Sequence, residues 1–477
     1  MGVSAMMRST AFVLVAAAVA PQLRAQTLED TLATAYVRST QLDQQRAQQR
    51  ATDEQVPQAL SNWRPTVTAT GEVTRSHNDY TPSSVNKLTR TAGWGTQKDV
   101  GIQVTQNIYR GGRTTAQTSQ ATNSVKAGQS QLKAVEQNVL LSAAQSYLDV
   151  VRDEATVELN ANNEAVLKKQ LDAEEDRFRV GEVTRTDVAL SQASYQQARA
   201  QYTSAVGTLQ TDRATFQRIV GQAPGKLAQP EFKYKLPASL EDALAAAESD
   251  NPSVVAAIYA ERASRDAVDI AEGARLPTIS IVGTYAREYP GANSSAESLG
   301  ALGGIGIAGA SFGGINHIDT GSIAAQMTWP LYTGGLASSQ VRQAKQTASQ
   351  NLIAIEDAKR VARQTAITAW QQLMTARANI EALTAQVNAA QIGAEGTRQQ
   401  ALVGTSTVLD SLTAEQNLLQ AQVNLVSAQH DALVDSFALL AAVGRMTAQD
   451  LGLAVKIYDP QENQNRVGDK WMGTGID

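Results

Sequence analysis

Cysteine is missing from all 477 residues. Its absence excludes disulfides, thiolate metal sites, a thiol nucleophile and a lipid carried on an N-terminal cysteine. Long apolar runs are missing too. After Ala25 no stretch reaches the ~18 apolar residues that a spanning helix needs, so a membrane location would have to come from β-strands. Positive charge is in short supply: 41 Lys and Arg against 46 Asp and Glu leave a formal net charge of −5. No basic patch stands out, which argues against nucleic acid as a partner. Motifs that carry chemistry are also lacking. The histidines are His77, His317 and His430, none at ligand spacing, and there is no Walker sequence, G-x-S-x-G or H-E-x-x-H. Gly300 to Gly314 is glycine-rich but has no GK[ST] ending and no following helix, so it reads as loop. No enzyme, cofactor or metal site is expected.

The first residues point to a compartment. A start with one positive charge, Arg8, precedes the apolar run Ala11 to Ala20. Pro21 breaks the run, and Leu23-Arg24-Ala25 ends on a small residue. Such a run is too short to span a bilayer. It reads as a secretory signal cleaved near Ala25, with the mature chain starting at about Gln26.

The mature chain is a tandem duplication. Thr27-Leu28-Glu29-Asp30 recurs as Ser239-Leu240-Glu241-Asp242, and Arg64-Pro65-Thr66-Val67 as Leu276-Pro277-Thr278-Ile279. Ile108-Tyr109-Arg110-Gly111-Gly112 recurs as Leu331-Tyr332-Thr333-Gly334-Gly335, and Val180-Gly181 with Asp187 as Val403-Gly404 with Asp410. The spacing between copies changes once, between positions 68 and 103. Loops accept such insertions and packed elements do not. In the second copy the variable piece is Glu288 to Gly321, which reads as an exposed loop. The first repeat covers 26–235, the second 236–445, and a polar tail 446–477 follows. That tail is expected to be partly disordered or wrapped around the helices.

Each repeat reads helix, strand, loop, strand, long helix, helix. Strands are expected at about 65–75 and 98–108, then at about 277–287 and 321–330. Val67, Ala69, Gly71 and Val73 alternate with threonines and Glu72; Val100, Ile102 and Val104 alternate with Gly101, Gln103 and Thr105. This period of two fits a barrel strand between lipid and a wet lumen, and equally a soluble hairpin with one buried face. Helices are expected at about 113–180 and 185–220, and again at about 336–402 and 407–443. No proline interrupts 113–180 or 336–403; about 68 residues of helix would run roughly 100 Å. Such helices must pack along others. Val188, Tyr195, Tyr202, Leu209 and Phe216 fall seven apart, and the second copy has two adjacent rows, Leu418-Leu425-Ala432-Leu439 and Leu412-Leu419-Val426-Leu433-Leu440. A seven-residue row buries a narrow seam and supercoils the helices. Two neighbouring seams imply contacts on both sides, as in a tube.

Four strands cannot close a barrel, and open edges in lipid would leave backbone groups unpaired. The chain is therefore expected to associate. Physics alone does not give the number of copies.

In the order, repetition and spacing of these motifs the chain resembles the TolC-type outer-membrane efflux proteins from Gln26 to about Gly452. The carriers are the Arg64-Pro65 and Leu276-Pro277 strand entries, the Tyr-x-Gly-Gly exits at 109–112 and 332–335, and the turns at 180–187 and 403–410. The resemblance implies a mainly α fold with transmembrane β: duplicated helical hairpins forming an α-helical barrel, plus a 12-stranded β-barrel shared by a homotrimer. It implies an outer-membrane channel reaching into the periplasm, with a periplasmic adaptor and an inner-membrane pump as partners. One departure is Ser39-Thr40, where the second copy has the family's Asn251-Pro252; only a helix bend should change.

Thr184-x-x-Asp187 and Thr407-x-x-Asp410 read as capping boxes. The resemblance adds a role: Asp410, with Asp187, would line the constriction of the periplasmic mouth, while Thr413 stands where a second acid is common. Val180, Gly181 and Glu182, with Val403, Gly404 and Thr405, resemble tips that meet an adaptor, although each glycine also suits a simple helix C-cap. The alternative reading is a periplasmic adaptor or a coiled-coil scaffold of an export system.

Overall fold

The computed structural model describes residues 25–80, 91–289 and 317–475. The expected signal segment before Ala25 and the glycine-rich loop 300–314 lie outside them. The chain divides into two compact units. The first comprises Met1–Arg38, Ser142–Tyr234 and Ala376–Val434, the second Ser39–Leu141, Lys235–Thr375 and Asp435–Asp477.

The elements follow the duplication. The first copy has α1 (Leu28–Arg38), α2 (Thr40–Asp53), α3 (Gln55–Leu60), β1 (Thr66–Tyr80), β2 (Thr91–Arg110), α4 (Arg113–Arg179) and α5 (Arg185–Val220). The second has α6 (Leu240–Ser249), α7 (Pro252–Gly273), β3 (Thr278–Tyr289), β4 (Ile318–Thr328), α8 (Leu336–Leu402) and α9 (Val408–Ala442). α4 and α8 are each 67 residues long. A helix of that length follows from the absence of proline, whose missing N–H and ring would break the ladder.

The opening helix of each repeat is broken, and the breaks are equivalent. Ser39 caps α2 by accepting from the Leu42 amide, and Asn251 caps α7 by accepting from the Ser253 amide with Pro252 in the first turn. Either side chain satisfies an orphan amide at a helix start. The Ser39 departure therefore leaves the bend in place.

In the first unit, Tyr147 of α4 is buried and its hydroxyl donates to the Gln26 carbonyl at 2.9 Å and the Ala228 carbonyl at 2.6 Å. Burial pushes its pKa up to about 12. Of the row on α5, Leu209 and Phe216 are buried while Val188, Tyr195 and Tyr202 are half-buried.

The second unit holds the sheet. Its order is β1-β2-β3-β4, antiparallel throughout, with a register shift between Asn107 and Tyr109. β1 and β2 extend beyond the expected ends because pairing continues out to Tyr80↔Thr91. Polar residues on both faces of that stretch hid it from a hydropathy pattern. The helical core of this unit is built from small side chains: Ala243, Ala369, Leu373, Leu439 and Val443 form one cluster, and Ala247, Val254, Ala362, Ala366 and Ala442 another. Alanine at these positions lets helix backbones approach closely.

Of the two courses expected for the tail, it takes the one against the helices: it contains α10 (Pro460–Gly468), which packs on α2. Asn463 Nδ2 donates to Asp53 Oδ2 at 2.7 Å, Gln49 Nε2 donates to Asp53 Oδ1 at 2.8 Å, and Asp53 has no exposed surface. Arg46 lies over the Tyr458 ring and Arg64 over Trp471. Low hydropathy concealed a helix held by polar contacts.

Candidate functional site: the turns at 180–187 and 403–410

Both hairpins reverse through short glycine turns, and both turns belong to the first unit. After α4, Gly181 sits at φ +83°, its amide donates to the Phe178 carbonyl at 3.0 Å, and the Glu182 amide donates to the Arg177 carbonyl at 2.9 Å. After α8, Gly404 sits at φ +77°, its amide donates to the Ala401 carbonyl at 3.2 Å, and the Thr405 amide to the Gln400 carbonyl at 2.9 Å. This paired closure satisfies the last carbonyls of a helix and needs the left-handed backbone that glycine adopts without strain.

The following helices start with reciprocal caps. The Thr184 amide donates to Asp187 Oδ2 at 2.9 Å and the Asp187 amide donates to Thr184 Oγ1 at 3.3 Å. The Thr407 amide donates to Asp410 Oδ2 at 3.1 Å and the Asp410 amide donates to Thr407 Oγ1 at 3.1 Å. The Ser406 hydroxyl adds a third donor to Asp410 at 3.2 Å. Hydrogen bonds from the threonine hydroxyl and then the threonine amide hold both carboxyls below the usual aspartate range. Both therefore stay charged through the neutral range, and Asp410 is exposed. The Thr413 hydroxyl is spent on the Leu409 carbonyl of its own helix at 2.8 Å, so this position adds no charge.

The tips carry bare apolar side chains. Val180 and Val403 are 72% and 73% exposed, and Phe178, Leu402 and Leu409 are exposed beside them in sequence. Apolar exposure thus recurs at two equivalent turns. Glu182 is engaged with Arg177 at 3.4 Å, and Arg177 also reaches the buried Glu174 at 3.5 Å. Leu412 of α9 is buried against Leu167 of α4 and Ala198 of α5, with Val408 beside them. That packing holds the two hairpins side by side just behind their turns.

A polar cluster in the same unit escaped sequence reasoning. Arg152 of α4 pairs with Asp149 at 3.0 Å, Asp153 at 2.8 Å and Asp212 of α5 at 3.3 Å. His430 of α9 lies 2.9 Å from both Asp149 and Asp431. Burial alone would lower the His430 pKa, but the two carboxylates outweigh it and hold it above the ordinary value. Burial pushes Asp153 up to about 6. Only the spacing of Asp149 and Asp153, one helical turn apart, hinted at this in the sequence.

Comparison with known proteins supplies context. The family model described as Outer membrane efflux protein matches residues 31–222 and 243–445. The outer membrane efflux protein BepC of Brucella suis is 36% identical over 448 residues, covering 94% of this chain and 92% of that protein. The outer membrane protein TolC of Vibrio cholerae is 27% identical over 414 residues, covering 85% and 87%. Among solved structures, the outer membrane protein VceC of Vibrio cholerae superposes with a TM-score of 0.73 at 20% identity, over 87% of this chain and 96% of that one.

Proposed function

This chain belongs to the outer membrane efflux protein family, and from that premise we propose that three copies of it build one export duct through the outer membrane. The sheet carries the argument. Four strands lie in chain order with β1 and β4 unpaired on their outer sides among the described residues. Register places Val67, Ile102, Val104, Tyr285, Ile323 and Met327 on one face and Thr68, Gln103, Thr105, Thr284, Ser322 and Gln326 on the other. An apolar face suits lipid and a polar face suits a water-filled lumen. Edges left open in lipid leave backbone groups unsatisfied at several kcal/mol each, so β4 of one copy pairs with β1 of the next until the ring closes at 12 strands.

The turns of the helical hairpins form the periplasmic mouth of the duct. There Asp410 and Asp187, charged and repeated threefold, concentrate negative potential at the narrowest opening; Thr413, one turn on from Asp410, leaves that ring single. Val180, Gly181 and Glu182 with Val403, Gly404 and Thr405 form the surface that meets a periplasmic adaptor, through which an inner-membrane pump delivers its substrate. The chain reaches the outer membrane after cleavage near Ala25.

Membrane fractionation with chemical crosslinking and planar-bilayer recording tests this. A trimer enriched in outer membranes that conducts as one pore supports it. A monomer released with periplasmic contents, soluble without detergent, refutes it.

A further inference from the structure

The apolar face of the sheet is not smooth. Gly283 and Gly321 lie diagonally on it in neighbouring strands, paired with Ile323 and Tyr285 respectively, and a Cβ at either would meet nothing within 4 Å. The gap they leave is a groove of about 440 Å³, walled by Ile102 and Val104 on one side and Ile323 on the other, with Tyr285 at one end. In a barrel this groove lies within one chain, across β2, β3 and β4, so no neighbouring copy covers it.

The groove points toward a basic rim. One step beyond Tyr285 on the same face come Arg287 and Asp319, joined by two contacts of 2.6 and 2.9 Å. That pair is internally neutral. Beyond it comes Lys98, paired in register with Val73 and Tyr289, and then Arg75, stacked on Trp94 at 5.3 Å. No carboxylate among the described residues pairs with Lys98, which is exposed. Lys98 stands about 14 Å along the strand from Ile102. An apolar trough leading to unpaired cations and aromatic rings matches a lipid lying along the wall, its chain in the trough and its anionic head at the rim.

We propose that this groove seats an acyl chain of a phosphate-bearing lipid of the outer leaflet, with the phosphate held by Lys98 and Arg75. The inference rests on the outer-membrane reading above. Cation to phosphate contacts supply the selectivity, because the trough itself accepts any acyl chain. Filling the two glycine positions should expel the chain, while removing the lysine charge should loosen the head.

Native mass spectrometry of the intact trimer, with bisphosphorylated lipid A as probe, tests it. Dephosphorylated lipid A and diacylglycerol, neither of which carries a phosphate, serve as comparisons. The wild-type trimer should retain the bisphosphorylated probe at least tenfold more than either comparison. Lys98→Gln should remove most of that preference, and the double variant Gly283→Leu/Gly321→Leu should lower retention of the probe tenfold with conductance unchanged. Should the double variant fail to assemble, Lys98→Gln decides alone, since its groove is intact. A conducting trimer that retains all three lipids equally, or in which Lys98→Gln keeps the full preference, overturns the lipid seat and leaves the duct standing. A chain that forms no trimer in the outer membrane overturns both.

Discussion

Gly111 and Gly273 meet backbone to backbone: a methyl on either would run into the carbonyl oxygen of the other. Gly111 leaves β2 at φ +62° and Gly273 closes α7, so the contact pins the sheet to a helix of the second unit. The equivalent Gly334 has φ +63° and open space around it. Alanine at Gly334 should therefore cost only the left-handed backbone penalty of about 1–2 kcal/mol. Gly111→Ala should cost clearly more. The temperature at which the assembled protein dissociates on semi-native gels would separate the two; equal losses would contradict the contact.

Removing the Tyr147 hydroxyl leaves two carbonyls, of Gln26 and Ala228, without this donor. Tyr147→Phe should destabilise the first unit by about 1–3 kcal/mol, read as a lower thermal midpoint. The loss should be present across the neutral range, because this phenol ionises only near pH 12.

Thr184 and Thr407 secure the restart of α5 and α9. Replacing either with alanine should cost about 1 kcal/mol of local helix stability, detected as faster proteolysis at 180–190 or 403–413 with the remainder of the chain still resistant. Acid should mimic the change. The lowered carboxyl pKa values of Asp187 and Asp410 mean that their contribution is complete above the ordinary aspartate value of about 3.9. It disappears as pH falls through the lowered values.

The cluster around His430 has the opposite sign. A raised folded pKa for His430 contributes stability that is complete below its unfolded value of about 6.5 and fades as pH rises through the raised value. Asp153, pushed to about 6, likewise binds its proton more tightly when folded. Stability of the helical hairpins should therefore decline as pH rises from about 4 to about 6, where Asp153 loses its proton, and again above about 6.5 as pH rises through the raised His430 value. His430→Gln should flatten the upper part of that slope, measured by thermal unfolding across a pH series. An unchanged slope would show that the histidine contact carries no weight.

In the proposed duct, Asp410→Ala removes one carboxylate of each copy while Asp187 remains. Blockade of the pore by multivalent cations should weaken, seen as a higher blocking concentration in bilayer recordings. Thr413→Ala should leave blockade unaltered, since its hydroxyl is bound to the Leu409 carbonyl.

Much of this architecture could be read from residues. The proline-free stretches marked α4 and α8, the seven-residue rows marked packing faces of α5 and α9, and alternation marked the sheet. The capping pairs Thr184/Asp187 and Thr407/Asp410 were visible because both partners lie three residues apart. What stayed hidden joins distant positions through polar groups. The distal ends of β1 and β2 lost their apolar alternation while keeping their ladder. Arg152, Asp212 and His430 come from three helices. α10 has almost no apolar stripe and is recognised only by what it touches.

That small helix carries a consequence for biosynthesis. The carboxylate of Asp53, written early by the ribosome, is shut away from water by an amide that emerges 410 residues later. A polypeptide released before Asn463 lacks that donor, and Asp53 Oδ2 loses this partner. The first repeat is thus completed by residues made near the end of synthesis, and a copy truncated before α10 should be less stable than the full chain.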